Sequence, residues 1–342
     1  MPSTVVILGA AGRFGLAATQ AFAAAGWRVL AQVRPGRDVA RLPTLAGVEW
    51  LPASIDATAA LAARAPDARI VVHGLNPRYE NACWCRDNSA YLRAAMALAS
   101  RLGARLMVPG NVYNFGADMP PVLTRDTPQS ATDAKGRARI AMEAELAAAC
   151  ATGELRGVLI RAGDFFGSGR GSWFDEVLAK DLWRARVNVP AAPDVPHAWA
   201  YLPDLARAFV RVAEREAELP PYVALGFAGH TVTIDDWLRQ FTRITRRLGW
   251  LGEKRRLTVR GLPWRLMRLA GWFAPRLQAL TDMRHLWQRP HRIDGTDLAA
   301  VIGAEPHTPF DLAVEDAVAE LYPHALEPQR PLGPHAGAGG AA

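Results

Sequence analysis

Val5-Val6-Ile7-Leu8, then Gly9-Ala10-Ala11-Gly12-Arg13-Phe14-Gly15, then the alanine-rich run from Leu16 to Ala25 follow one another without a break in the 342-residue chain. The first segment is apolar and β-branched, as a buried strand is. The third has helical composition and is stopped by Gly26. Between them the glycines are spaced G-x-x-G-x-x-G. Gly9 allows the tight turn that leaves the strand. Gly12 has no Cβ, so the backbone can approach a pyrophosphate. Gly15 lets the helix pack closely on the strand. The free N–H groups and the positive dipole end of the helix then face the phosphates. A glycine triplet alone is a weak signal, but one that leaves a strand and opens a helix points to dinucleotide binding. Gly9, Gly12, Arg13, Phe14 and Gly15 are therefore candidate cofactor-binding residues.

The second strand reads Trp27 to Val33 and ends in Gln32-Val33-Arg34-Pro35-Gly36-Arg37, with no acid before Asp38. An acidic residue at this place holds the ribose 2′-hydroxyl of NAD, whereas arginines suit a 2′-phosphate through paired, charge-assisted hydrogen bonds. Arg34 and Arg37 are expected to hold that phosphate, with Arg13 reaching it from the glycine turn. The expected cofactor is NADP, with NAD as the alternative.

Further strands read Val48–Leu51, Arg69–His73, Arg105–Val108 and Val158–Arg161, with helices at Trp84–Leu102, closed by Gly103, and Ala134–Ala149 between them. Strands alternating with helices at this spacing mean a parallel sheet. Two polar strand ends follow, Gly74-Leu75-Asn76-Pro77 and Pro109-Gly110-Asn111-Val112-Tyr113-Asn114-Phe115-Gly116. His73 is read as a packed, hydrogen-bonded residue rather than a functional one. Beyond about residue 168 the alternation weakens. Trp173–Trp183 reads as helical, His197–Asp204 leads into a helix from Leu205 to Glu216, and residues 231–290 are mostly helical and rich in Arg and Trp. The expected fold is α/β, a Rossmann-like doubly wound parallel sheet with a smaller, mostly helical C-terminal substrate lobe. Residues 1–168 would form the dinucleotide-binding part, with sheet-completing segments from about 197–230. Residues 169–326 would form mainly the lobe, and 327–342 a disordered tail of Pro, Gly and Ala.

Half of the residues are apolar and no run of eighteen apolar residues occurs, so no transmembrane helix is expected. Met1-Pro2-Ser3-Thr4 leads straight into the first strand and leaves no room for a signal peptide. Cys83, Cys85 and Cys150 make no disulfide framework, and the C-x-C has no second pair, so no metal site is expected and a cytoplasmic location fits. The net charge is +7, and lysine occurs only at 135, 180 and 254. The arginines are spread along the chain, which argues against a nucleic-acid partner. Among them Arg161, Arg170, Arg184 and Arg186 are candidates for an anionic substrate, with solvation as the plainer role. The Arg/Trp face between Leu251 and Trp287 is read as packing against the main domain rather than lying on a membrane.

These residues resemble the extended branch of the short-chain dehydrogenase/reductase superfamily, the NAD(P)-dependent sugar-nucleotide epimerases, dehydratases and reductases. The resemblance rests on Gly9, Gly12 and Gly15, on Val112-Tyr113 and Gly116 after the fifth strand, and on Arg161 and Gly167 at the sixth. It rests further on Leu202-Pro203-Asp204-Leu205-Ala206 and on Asp294 to Gly303 with Pro306 and Pro309. It implies a small carbonyl or sugar-nucleotide-type substrate, and a homodimer through a helix bundle that would include residues 84–102 and 135–149.

The chain departs from the family at the catalytic pair. The family carries Y-x-x-x-K with a glutamate four residues beyond the lysine. Aligning on Glu143 places Arg139 at the lysine position and Lys135 at the tyrosine position, and Pro109 stands where the family has a serine. In the family the tyrosine shuttles a proton while the lysine lowers its pKa and holds the nicotinamide ribose. Arg139 can still hold the ribose, yet it stays protonated and cannot donate a proton at neutral pH. Lys135 can act as an acid if desolvation lowers its pKa. Tyr113 is either a relocated acid or a ring packed over the nicotinamide pocket. Asn76 and Asn111 are candidates to hydrogen-bond a carbonyl or the carboxamide. The reading is an NAD(P)-dependent oxidoreductase or epimerase with an atypical site. Its alternative is a non-catalytic NADP-binding regulatory or redox-sensing module.

Overall fold

The computed structural model describes residues 2–325; the expected tail, 327–342, lies outside the described residues. Seven parallel strands form the main sheet: β1 (Thr4–Leu8), β2 (Arg28–Val33), β3 (Val48–Pro52), β4 (Ala68–His73), β5 (Arg105–Gly110), β7 (Arg156–Arg161) and β11 (Tyr222–Gly226). Their spatial order is β3-β2-β1-β4-β5-β7-β11, so the chain reverses direction between β1 and β4. In a doubly wound sheet that reversal opens a crevice at the C-terminal strand ends, where ligands bind.

Alternation along the strands assigns side chains to two faces. Val5, Ile7, Val29 and Ala31 pack with helices α1 (Arg13–Ala24), α5 (Leu202–Glu214) and α9 (Thr296–Ile302). Val6, Leu8 and Leu30 face α2 (Thr58–Arg64), α3 (Asn81–Leu102) and α4 (Ala134–Ala151). Gly103 closes α3 in the left-handed conformation, as its position after Leu102 predicts.

A second core joins residues 84–123 to the C-terminal segments. Helices α6 (Ile234–Arg247) and α10 (Phe310–Leu321) gather with Phe166, Phe174, Trp199 and Trp237 into an aromatic cluster. Strands β8 (Asp164–Phe166), β10 (His197–Tyr201) and β12 (His230–Val232) make a small sheet, while β9 (Arg186–Val189) pairs with β13 (Thr258–Gly261) and β6 (Val122–Leu123) with β14 (Arg292–Ile293). Of the segment 197–230, then, β11 joins the main sheet and β10 does not. The stretch Trp173–Trp183 is not one helix. It forms a single π-helical turn at Phe174–Leu178 and a 3₁₀ turn at Leu182–Arg184.

Helices α7 (Trp264–Ala270) and α8 (Pro275–Asp282) form a hairpin; Leu251, Met283, Leu286 and Trp287 of this Arg/Trp region are buried as expected, and the exception is the outer face of α7 with the turn after it. No residue of α7 is buried. Trp264 and Met267 are half-buried, the Trp264 indole N–H donating to the Pro190 carbonyl at 3.0 Å. The other large apolar side chains of α7 and of the turn after it project into solvent.

Candidate active site

The glycine turn is rigid for reasons that can be named atom by atom. Gly9 has φ +68°, and a Cβ there would lie 2.9 Å from the Gly74 carbonyl oxygen. A Cβ on Gly15 would lie inside van der Waals contact of the Gly9 carbonyl oxygen. The turn is also tied to β2. The Gly9 N–H donates to Gln32 Oε1 at 2.9 Å, and Gln32 Nε2 donates to the Ala53 carbonyl at 2.6 Å. Gln32 is fully buried and was missed from sequence; an amide inside an otherwise apolar buried strand was the available signal. Gly12 caps α1 without a side-chain bond and the first turn of α1 holds no acid. An uncapped, acid-free helix start beside Cβ-less backbone fits a pyrophosphate.

Arg34 and Arg37 extend into solvent at the end of β2, and neither has a side-chain hydrogen bond or ion pair among the described residues. Arg13 is directed elsewhere, which corrects its expected place. Its Nη2 donates to the Gly167 carbonyl at 3.0 Å and to the Phe165 carbonyl at 3.4 Å. Those carbonyls follow β7 in the chain, whereas a 2′-phosphate would lie at β2 on the other side of β1. Burial pushes the Arg13 guanidinium below its usual range, against the pull of Asp175 and Glu320.

At the C-terminal ends of β4 and β5, a second cluster assembles. Asp133 caps α4, accepting the Gly136 N–H at 2.8 Å, and this fixes Lys135 in the first turn and Arg139 one turn later on the same face. Lys135 is 1% exposed. Its Nζ donates to Asn81 Oδ1 at 3.1 Å and to the Ala279 carbonyl of α8 at 3.0 Å, and lies 4.0 Å from the Tyr79 ring centroid. Burial brings its ammonium down to about 8, with Asp282 and Asp133 pulling the other way. The Arg139 guanidinium sits 5.3 Å from the Trp84 ring and donates from Nη1 to the Pro109 carbonyl at 3.4 Å. Trp84 in turn lies 5.7 Å from the Tyr113 ring.

Tyr113 is buried, and burial followed by the neighbouring Tyr79 raises its phenol well above the ordinary range. His73 closes the cluster at the end of β4. Burial, then Arg139, lowers its imidazole to about 4, so the ring is neutral at pH 7. It is packed as expected, yet its Nε2 has no hydrogen-bond partner. Trp84 Nε1 and Arg139 Nε share that condition among the described residues, while the Tyr79 hydroxyl faces that of Tyr113. Tyr79 and Trp84 were not singled out from sequence, because both precede or open a helix with no motif around them. Asn111 Oδ1 accepts the Tyr113 N–H at 3.1 Å and so shapes the loop, while Asn76 is exposed.

Behind the cluster Glu143 is buried. Its Oε2 accepts from Arg161 Nη2 at 2.8 Å, Arg161 Nε at 3.2 Å and Gln129 Nε2 at 2.8 Å. Arg161 is thereby committed to an internal ion pair, and Arg170 donates to the Leu321 carbonyl at 3.0 Å, which removes both as free binders of an anionic substrate. Arg184 stacks on Trp183, and Arg186 is exposed. Among the described residues no group of His, Cys, Asp and Glu is placed to hold a metal ion, and the three cysteines are unpaired.

The profile of the NAD dependent epimerase/dehydratase family matches residues 5–225. Solved structures share the fold at low identity. A UDP-glucose 4-epimerase from Thermotoga maritima, solved with UDP-glucose, is 14% identical with a TM-score of 0.71, over 95% of this chain and 100% of that one. The Bordetella bronchiseptica enzyme WbmH, solved with NAD+, is 16% identical with a TM-score of 0.70, over 95% and 99%. The NAD-dependent NDP-hexosamine 5,6-dehydratase TunA, from tunicamycin biosynthesis, is 18% identical with a TM-score of 0.69, over 94% and 98%. No curated protein matches by sequence.

Proposed function

We propose, from the premise that the chain belongs to the NAD dependent epimerase/dehydratase family, that it is an NADP-dependent oxidoreductase or epimerase in which Lys135 takes the proton-donor place of the family tyrosine. The observation that carries this reading is a desolvated amine against the Tyr79 and Trp84 rings, with buried polar atoms left without a partner beside it, Trp84 Nε1 and Arg139 Nε, and His73 Nε2 next to Arg139. Buried polar groups are normally paired, and a cluster of unpaired ones beside perturbed titrating groups marks a ligand site.

Gly9, Gly12, Phe14 and Gly15 would hold the pyrophosphate of the cofactor, Arg34 and Arg37 its 2′-phosphate, and Arg139 the nicotinamide-ribose end. A bound nicotinamide cofactor supplies or accepts the hydride. The chain's own work is at the substrate oxygen. An ammonium with a pKa of about 8 is mostly protonated at neutral pH, so Lys135 can give a proton to an oxygen that is gaining charge and take it back from a hydroxyl being oxidised. Arg139 is a fixed cation beside it and favours negative charge developing on that oxygen. Neutral His73 adds no competing charge. The relatives solved with UDP-glucose or acting on NDP-hexosamine support a sugar-nucleotide-type substrate, and a small carbonyl compound is the broader class.

The test is calorimetric binding of NADPH and NADH, followed by hydride transfer across a panel of carbonyl compounds and sugar nucleotides, with Lys135→Met beside the parent. NADPH binding and a turnover that Lys135→Met abolishes support the reading. A second reading, a non-catalytic NADP-binding module, draws on the Lys135 ammonium being already occupied by Asn81, Ala279 and Tyr79. It expects NADPH binding with no hydride transfer on any member of the panel.

A further inference from the structure

The α7–α8 hairpin presents an apolar tip that none of the other described residues covers. Leu266 is 67% exposed, Leu269 63%, Trp272 82% and Phe273 89%. Leu266 and Leu269 stand at i, i+3 on α7, as do Arg265 and Arg268 on the adjacent face, and Trp272 and Phe273 sit in the turn just past its end. Scattered exposed apolar residues are ordinary, but four large ones within eight residues form a patch.

Between Glu253 and Asp282, the acid that ends α8, the charge is all positive. From Lys254 to Thr281 the sequence carries seven cations, at 254, 255, 256, 260, 265, 268 and 276, and no Asp or Glu. Among the described residues only Arg276 of these has an acidic partner, Glu176. Arg184, Arg255 and Arg256 line a cleft of about 340 Å³ at the start of this same stretch. The anchoring is firm on the inner side. Trp264 is bonded to Pro190 and packs 6.2 Å from Trp173, and Ala279 is buried against the main body.

We propose that this hairpin is a membrane-surface docking element that seats on an anionic lipid bilayer. The chemistry fits part by part. Trp272 and Phe273 are amphipathic or apolar rings suited to the boundary between headgroups and acyl chains, and Leu266 and Leu269 add apolar area beside them. The flanking arginines match lipid phosphates by bidentate hydrogen bonds and are drawn to a negatively charged leaflet. No helix of the described residues is long and apolar enough to cross a membrane, so the contact is with one surface. A second copy of the chain is a poorer occupant. A two-fold contact of this patch on itself would bring the same arginines against each other without acids to offset them. The inference does not depend on the catalytic reading. It does place the active site next to the bilayer, because α8 supplies the carbonyl that accepts from Lys135 and the Asp282 carboxylate that accepts from Asn81.

The experiment is co-sedimentation of the full chain with vesicles of phosphatidylcholine alone and of phosphatidylcholine mixed with phosphatidylserine, at physiological ionic strength. Two double variants run beside it, Trp272→Ser with Phe273→Ser and Arg265→Glu with Arg268→Glu. All four side chains are exposed, so the variants should keep the parent's melting temperature and circular dichroism. The parent should pellet with the anionic vesicles and release at high salt. Each double variant should lower the partition coefficient at least roughly tenfold. Failure of the parent to pellet with anionic vesicles overturns the proposal, as does equal pelleting of parent and both variants. Self-association of the parent that the Trp272→Ser, Phe273→Ser variant abolishes, without vesicle binding, would assign the patch to a second copy instead. Binding to an acidic protein without vesicle binding would assign it to a protein partner.

Discussion

The Lys135 ammonium lies over the Tyr79 ring, 4.0 Å from its centroid, on the side of the sheet where β4 and β5 end. A desolvated cation over an aromatic face is held by the ring quadrupole, and here two oxygen acceptors complete its shell. Replacing it with Met keeps the length and removes the proton. Turnover in Lys135→Met should fall by about 10²- to 10⁴-fold, as loss of a general acid does. In the parent, kcat/KM for carbonyl reduction should decline as pH rises through about 8, where the amine loses its proton. A flat profile across that range would remove Lys135 from the proton-donor role. The same group affects stability. Its folded pKa is below its unfolded value of 10.5, so between pH 8 and 10.5 the unfolded chain binds more protons and this residue's contribution to stability rises with pH.

Arg34 is exposed at the end of β2, with no side-chain partner among the described residues. Arg34→Ala should weaken NADPH binding about ten- to a hundredfold, the worth of charge-assisted hydrogen bonds to a phosphate, and leave NADH binding unchanged. Calorimetry with both nucleotides reads the difference directly. Equal losses for the two would place Arg34 outside the 2′-phosphate site.

Glu143 accepts three hydrogen bonds shorter than 3.3 Å, two of them from Arg161, and both residues are buried. Removing one partner strands a buried charge. Glu143→Leu and Arg161→Met should each lower unfolding free energy by about 3–5 kcal/mol, and the two changes together by less than either alone. Urea titration of the four species tests this; strict additivity would mean the pair is not coupled.

Burial lowers His73 and His230 to about 4 and His291 to about 3, each from 6.5. Below pH 6.5 the unfolded chain takes up protons that these folded rings refuse, so stability should fall as pH drops from 6.5 towards 4. Each ring contributes a slope of at most about 1.4 kcal/mol per pH unit. His230 packs against Phe166 and Phe310, so His230→Phe should be accommodated and should reduce the slope. Urea midpoints measured across that window would show it, and an unchanged slope would exclude His230 as a source.

Much of the fold was legible in the sequence because its signals are local. Apolar β-branched runs, glycine stops and the G-x-x-G-x-x-G turn depend only on backbone sterics and on short-range alternation, and β1 to β5 and β7 lie within a few residues of where those signals place them. Arg13 was misplaced because a long side chain on a turn can reach two sides of a sheet, and only packing chose the carbonyls of Phe165 and Gly167. The outer face of the hairpin escaped the packing expectation for a related reason. Amphipathic spacing reveals that a helix has an apolar face but not whether anything covers it, and α7 is uncovered.

By itself, the sequence determined a dinucleotide-binding α/β chain of the epimerase/dehydratase kind with Lys135 and Arg139 one helical turn apart, because each of those facts is written in contiguous residues or in a fixed spacing. Only the tertiary structure decided what surrounds them. Gln32 under the glycine turn, Tyr79 and Trp84 beside Lys135, and Ala279 above it come from segments as far as 144 residues away, and they meet because the parallel sheet aligns the C-terminal ends of its strands. Burial, and with it the lowered proton affinity of Lys135, belongs to that assembly and to no segment within it.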